Sequence, residues 1–170
     1  FEGALVCFTI AGIMAYHSIA RKTYPGFHSW TIGFACSGAG AMLIALRGLL
    51  PDFLSIVLAN VLIAAMPFLL AWGLTVFLDV RWRALRLHGA LLAVLLGVMV
   101  WATYVVPNLC VRVLVFSVVY FAFFASALYV AVRRLPEKLG GQNWLLVVMI
   151  SLALLTTGLR LALAASQGKE

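Results

Sequence analysis

The sequence predicts an all-α fold, a polytopic membrane helical bundle with six transmembrane helices. Three observations carry this. The 170-residue chain is 65% hydrophobic and only 10% charged, with a mean hydropathy of +1.13. Soluble domains carry about 25% charged residues, so this composition cannot build a water-facing surface over a core of this size. The apolar runs are each near or above the roughly 20 residues that a helix needs to cross a hydrocarbon core. Barrel strands need only about 9–11, which leaves helices as the spanning elements.

The spans follow in order, as one integral-membrane domain over residues 1–170. Span one covers 1–20 and closes at "RKTYPG". Phe1 is not Met, and the run lacks a basic leader, so a native start is expected upstream and a cleavable signal peptide is not. Span two, 27–46, contains "GFACSGAGA", with Gly33, Ser37 and Ala41 four apart on one face. Small-residue faces let helices approach closely, so packing inside the bundle is expected, with dimerisation as the alternative. A short "RGLLPD" turn leads to span three, 53–78, where Pro67 predicts a kink by removing a backbone hydrogen bond. Span four, 87–106, ends at "VVPN"; span five, 109–132, closes at "RRLPEK"; span six covers 144–165. Tyr24, Trp30, Trp82, Tyr104 and Trp144 fall at span ends, where aromatic belts sit.

The net charge of +7 does not point to nucleic acid, because basic residues at helix ends are what membrane topology requires. The loops after the odd spans hold eight of them: Arg21, Lys22, Arg81, Arg83, Arg86, Arg133, Arg134 and Lys138. The other side holds four: Arg47, Arg112, Arg160 and Lys169. The positive-inside rule then places the odd loops in the cytoplasm and both termini outside.

That topology gathers the costly polar residues in the outer leaflet. Arg47 ends span two and Asp52 begins span three. Asn60 lies eight residues further on, about 12 Å deeper. Arg112 is one turn into span five, Arg160 one turn from the outer end of span six, and Glu2 begins span one. Two readings stay open. Arg47 and Asp52 can pair across their turn while Arg112 and Arg160 snorkel to headgroups among the membrane lipids. Alternatively Arg47, Asp52, Asn60, Arg112 and Arg160 wall an outer pocket, between spans two, three, five and six, for a small polar or anionic ligand.

Other chemistries find little footing. Cys7, Cys36 and Cys110 stand singly in apolar runs, without the spacing of a zinc or disulfide framework. His17, His28 and His88 fall near the cytoplasmic ends, where a haem would need two of them facing. No nucleophile–base motif or phosphate-binding loop occurs, so no catalytic residue, metal or cofactor is assigned. Every acidic residue lies at a span end (Glu2, Asp52, Asp79, Glu137, Glu170), which argues against a proton-coupled pump.

The segment from Tyr24 to Asn60, "YPGFHSWTIGFACSGAGAMLIALRGLLPDFLSIVLAN", resembles the multi-span N-terminal membrane region of bacterial diguanylate cyclases. The resemblance rests on Tyr24-Pro25-Gly26, Leu46-Arg47-Gly48, Pro51-Asp52 and the run from Leu54 to Asn60, with Gly73, Leu74, Phe77 and Arg112 similar further on. It implies a sensory module that regulates a cytoplasmic GGDEF domain making cyclic di-GMP, and it implies a homodimer. "GGQN" at 140–143 lacks that domain's acidic residues, so these 170 residues are not themselves the cyclase. A seventh span and an effector domain are expected beyond Glu170. The rival readings are an accessory subunit held among other membrane subunits, as in a respiratory or photosynthetic complex, and a small transporter.

Overall fold

The structure, a computed structural model, describes residues 2–79, 84–139 and 144–167, with side chains described for 2–79, 87–133 and 147–159. The expectations resting on Arg81, Trp82, Arg83, 140–143, Lys169 and Glu170, and on the side chains of Arg86, Arg134, Lys138, Trp144 and Arg160, lie outside the described residues.

Among the described residues the chain is all-helical: α1 (Glu2–Ala20), α2 (Phe27–Ala45), a π-helical segment (Phe53–Leu58) continuous with α3 (Ala59–Leu78), α4 (Ala84–Tyr104), α5 (Leu109–Leu139) and α6 (Trp144–Gln167). Turn chemistry ends the helices where the sequence signals it. Gly26 takes a left-handed φ of 89° ahead of α2, and Asp79 closes α3 with a left-handed φ of 55°. At α5, Asn108 Oδ1 accepts the Val111 N–H at 3.2 Å, satisfying one of the orphan amides of a helix start. The "RRLPEK" stretch does not end α5, whose backbone stays helical to Leu139.

The helices form a curved row, α1–α2–α3–α5–α6, and α4 packs on α3 and α5. Two clusters hold it together. One joins Leu74 and Leu78 of α3 to Phe124, Ala127 and Val130 of α5 and Ile150 of α6. The other joins Val57 and Ala64 to Leu95 and Met99 of α4 and to Val119 and Phe123 of α5.

α2 is wedged between α1 and α3, and its small residues are consumed there on both sides. Gly38 faces the Phe8 ring of α1, while Cys7 Sγ donates to Ser37 Oγ at 3.8 Å. Gly33 faces Met66 and Leu69, and a Cβ at Gly40 would sit 2.7 Å from the Ala59 carbonyl oxygen. Packing within the chain accounts for the stripe. The indole Nε1 of Trp30 donates to the Leu70 carbonyl at 3.1 Å, a bond between α2 and α3. Trp30→Phe is expected to cost about 1 kcal/mol, the net worth of one such bond, measured by thermal or chemical unfolding. A loss below a few tenths of that would show that the indole N–H contributes nothing.

Among the described residues four helices are long and apolar enough to cross a membrane: Glu2–Ala20, Phe53–Leu78, Leu87–Tyr104 and Leu109–Arg133. They mark a membrane protein, and they carry exposed Leu5, Ile19, Val94, Val118 and Tyr129 as a lipid-facing surface would. Of the six expected spans, four are matched by such helices among the described residues. α2 interleaves Gly, Ser, Thr and His with its apolar residues, which lowers its hydropathy. In α6 the apolar run among the described residues is the shorter Val147–Leu159. Pro67 lies inside α3 and is fully buried, where it leaves the Ile63 carbonyl without its usual amide donor.

Candidate functional site

The 46–52 turn, which joins α2 to the π segment, is built by its backbone. Arg47 N–H donates to the Ile44 carbonyl at 3.1 Å, and Leu49 and Leu50 N–H both donate to the Leu46 carbonyl at 3.0 and 3.3 Å. Gly48, at φ 93°, supplies the left-handed residue that reverses the chain. Arg47 and Asp52 are both exposed, and no ion pair joins them among the described residues. Side-chain neutralisation across the turn is therefore not what closes it.

Beyond Pro51 the helix opens in π geometry. Ala59 N–H reaches the Leu54 carbonyl, five residues back, and Asn60 Nδ2 donates to the Ile56 carbonyl at 2.6 Å. In a 3.6-residue helix, Ser55 and Asn60 would point about 140° apart. The wider turn brings both to one wall, and single π turns recur at functional sites for this kind of re-aiming.

That wall encloses a cavity of about 250 Å³. Its polar lining is Arg47, Ser55, Asn60 and Arg112. Its apolar lining includes Ile44 of α2, Ile63 of α3, Met99 of α4, and Val113 and Phe116 of α5. The α5 contributors Leu109, Arg112, Val113 and Phe116 follow the i, i+3, i+4, i+7 spacing of one helix face. Arg112 sits within the first turn of α5, and its backbone N–H donates to the Asn108 carbonyl at 3.3 Å. Its Nε is sealed from solvent and has no hydrogen-bond partner among the described residues. A guanidinium donor buried without an acceptor is a marked exception in folded proteins, where such groups are nearly always paired.

Three of the five expected site residues, Arg47, Asn60 and Arg112, therefore meet in one cavity drawn from distant stretches of chain. Asp52 is not among the lining residues and stays exposed at the start of the π segment. The Arg160 side chain lies outside the described residues. α4 adds a wall through Met99, and the expected α6 wall, which rested on Arg160, lies outside the described residues. Ser55 and Met99 went unread: Ser55 reaches the wall only through the π turn, and Met99 is an ordinary apolar residue in a sequence full of them. Among the described residues no carboxylate lines the cavity, and no group of three or more His, Cys, Asp or Glu could hold a metal.

The histidines lie elsewhere. His88 is buried and stacks on Phe123, ring centroids 5.2 Å apart, whereas His17 and His28 are exposed. A second, almost wholly apolar cavity of about 380 Å³ lies on the concave side of the row, lined by Met14 of α1, Trp30, Met66, Phe124 and Met149 of α6 among others. Comparison with protein-family models, curated proteins and solved structures found no match.

Proposed function

We propose that the chain is a membrane-embedded sensory module, with the polar cavity as its input site. The observation that carries this reading is the cavity itself. Arg47, Asn60 and Arg112 come from three stretches of a chain poor in polar groups and meet in one hollow without a counter-ion among the described residues. Polar groups at membrane depth are costly and mark functional sites more often than structural ones. In this reading α2 and α6 complete six spans, and the cavity opens toward the outside of a bacterial inner membrane. The output is a cytoplasmic diguanylate cyclase domain, as the resemblance implies.

α5 supplies the path. It is one unbroken helix of 31 residues that leads away from the cavity wall, and α6 packs along it. An occupant that draws Arg112 in would bias two packings of α5 against α3 and α4, a population shift read at the far end. Hydrogen exchange in the purified protein tests this. Arg112→Met is expected to change amide protection several-fold at residues 127–133, more than 20 Å along α5 at 1.5 Å per residue. Changes confined to the first two turns of α5 would leave the cavity a local feature and sink the input reading.

The orientation has its own test. Cys110 is exposed in the first turn of α5, while Cys7 and Cys36 are half-buried. In intact cells, a membrane-impermeant maleimide is expected to label Cys110 in a Cys7→Ala, Cys36→Ala background. Labelling only after permeabilisation would invert the topology.

One observation favours the accessory-subunit reading instead. The apolar cavity is lined by both edge helices of the row, α1 and α6, which make no contact with each other among the described residues. Co-purification of a stoichiometric foreign membrane subunit that protects Met14 and Met149 from oxidation would support it.

A further inference from the structure

The chemistry of the cavity's occupant follows if the cavity is the input site, and it rests on that reading. We propose that the cavity takes an oxyanion, a carboxylate or a phosphate, carried on a compact apolar body, with Arg112 as its principal partner.

Charge sets the sign. Two guanidinium groups line the cavity and, among the described residues, no carboxylate does. Asp52, the nearest acid in sequence to Arg47, is exposed on the turn. A cation would be repelled, and a neutral ligand would leave Arg112 uncompensated in a low-dielectric site.

Geometry sets the group. The Arg112 Nε–H is the unmet donor, and Nε with one Nη forms the side-on fork that matches two oxygens of a carboxylate or phosphate. Asn60 is held by its own Nδ2 bond to the Ile56 carbonyl, which fixes the amide at the wall. Leu109 brings the first turn of α5 to the same cavity, where the partial positive charge of a helix start adds to the field. Arg47, just past the end of α2, also complements that helix's negative end, so it is the weaker partner.

Volume sets the body. A bare oxyanion leaves most of about 250 Å³ empty against Ile44, Ile63, Met99, Val113 and Phe116. A short apolar group fills it, in the manner of ligand sites whose walls are apolar and whose few polar groups fix orientation. Two sources share this chemistry: the headgroup of an anionic lipid with the start of its chains, and a water-soluble short-chain carboxylate.

The test uses the purified chain in phosphatidylcholine nanodiscs and reads the thermal midpoint. Butyrate is titrated against butyramide, its neutral counterpart, and against chloride at matched ionic strength. A parallel set of discs contains phosphatidylglycerol. The midpoint is expected to rise with butyrate or with phosphatidylglycerol, and with neither butyramide nor chloride. Arg112→Met is expected to weaken the anion's apparent affinity at least about 30-fold, as when one partner of a buried charge pair is removed. Arg112→Lys keeps the charge but not the fork and serves if the methionine variant does not fold; it is expected to weaken binding without abolishing it. A rise with butyrate in neutral discs assigns a soluble ligand, and a rise confined to phosphatidylglycerol discs assigns a lipid headgroup. Equal shifts in wild type and both variants, butyramide as effective as butyrate, or no shift with any anion overturns the proposal. Those outcomes leave hydrogen exchange along α5 as the separate judge of the input reading.

Discussion

Gly73→Leu is expected to abolish accumulation of folded protein, and Gly73→Ala to destabilise it by about 3 kcal/mol, the upper part of the range for overpacking a tight contact. The reason is a meeting of two backbones. A Cβ on Gly73 would fall against the Trp30 indole and lie 2.7 Å from the Gly26 carbonyl oxygen. Gly26 cannot yield easily, because its φ of 89° belongs to the turn that starts α2. Nor can Trp30, whose Nε1 is bonded to Leu70 on the same helix as Gly73. The contact thus sets how closely α2 approaches α3, and through α2 the position of Ile44 and Arg47 at the other end. Gly97 of α4 is the control: a Cβ there meets nothing within 4 Å. Gly97→Ala is expected to be neutral or to stabilise by up to about 1 kcal/mol, through helix propensity alone. Equal yields and midpoints for the Gly73 and Gly97 variants would mean that the Gly26–Gly73 contact is not formed.

Arg112→Met is expected to stabilise the unliganded protein while removing its response to anions. Removing a sealed donor that has no acceptor relieves a penalty of about 1–3 kcal/mol, and methionine keeps most of the side chain's volume in the α5 face. A structural arginine would behave in the opposite way, since deleting a satisfied buried charge destabilises. The measurement is the thermal midpoint in neutral detergent without added anion. A midpoint below that of wild type would place Arg112 in the fold's own framework and remove the main reason for assigning it a ligand.

These two residues also show what the sequence made legible. Arg112 stood out because a charge one turn into an apolar span is expensive, and counting basic residues between spans grouped it with Arg47 and Asn60 as an expectation. Arg47, Asn60 and Arg112, three of the four polar residues that line the cavity among the described residues, were legible in this way. Ser55 was missed, because a helix of 3.6 residues per turn turns it away from Asn60, and nothing in "LSIVLAN" announces a π turn. Met99 of α4 also went unread, because span order does not determine which helices neighbour one another in a row. Arg47 and Asp52 invite pairing by proximity, but Gly48 and the backbone bonds to Leu46 and Ile44 already build the turn, so both side chains are exposed. Gly73 was legible only as part of a resemblance; its role depends on Gly26, 47 positions away, through a contact no periodicity predicts.

The fold places the cavity at one end of an uninterrupted helix, next to the turn that joins α2 to α3. On the proposed sensory reading, filling the cavity and moving α5 would be one event, because Arg112, the residue proposed to meet the ligand, is also part of the helix that leaves the site. The proton on Arg112 Nε reports this most directly. Arginine Nε–H spectra of the protein in phosphatidylcholine nanodiscs are expected to contain one signal that disappears in Arg112→Met. Adding butyrate, or replacing part of the lipid with phosphatidylglycerol, is expected to move that signal in the direction of a new charge-assisted hydrogen bond. An Arg112 signal unchanged by either anion source would contradict the account at its centre.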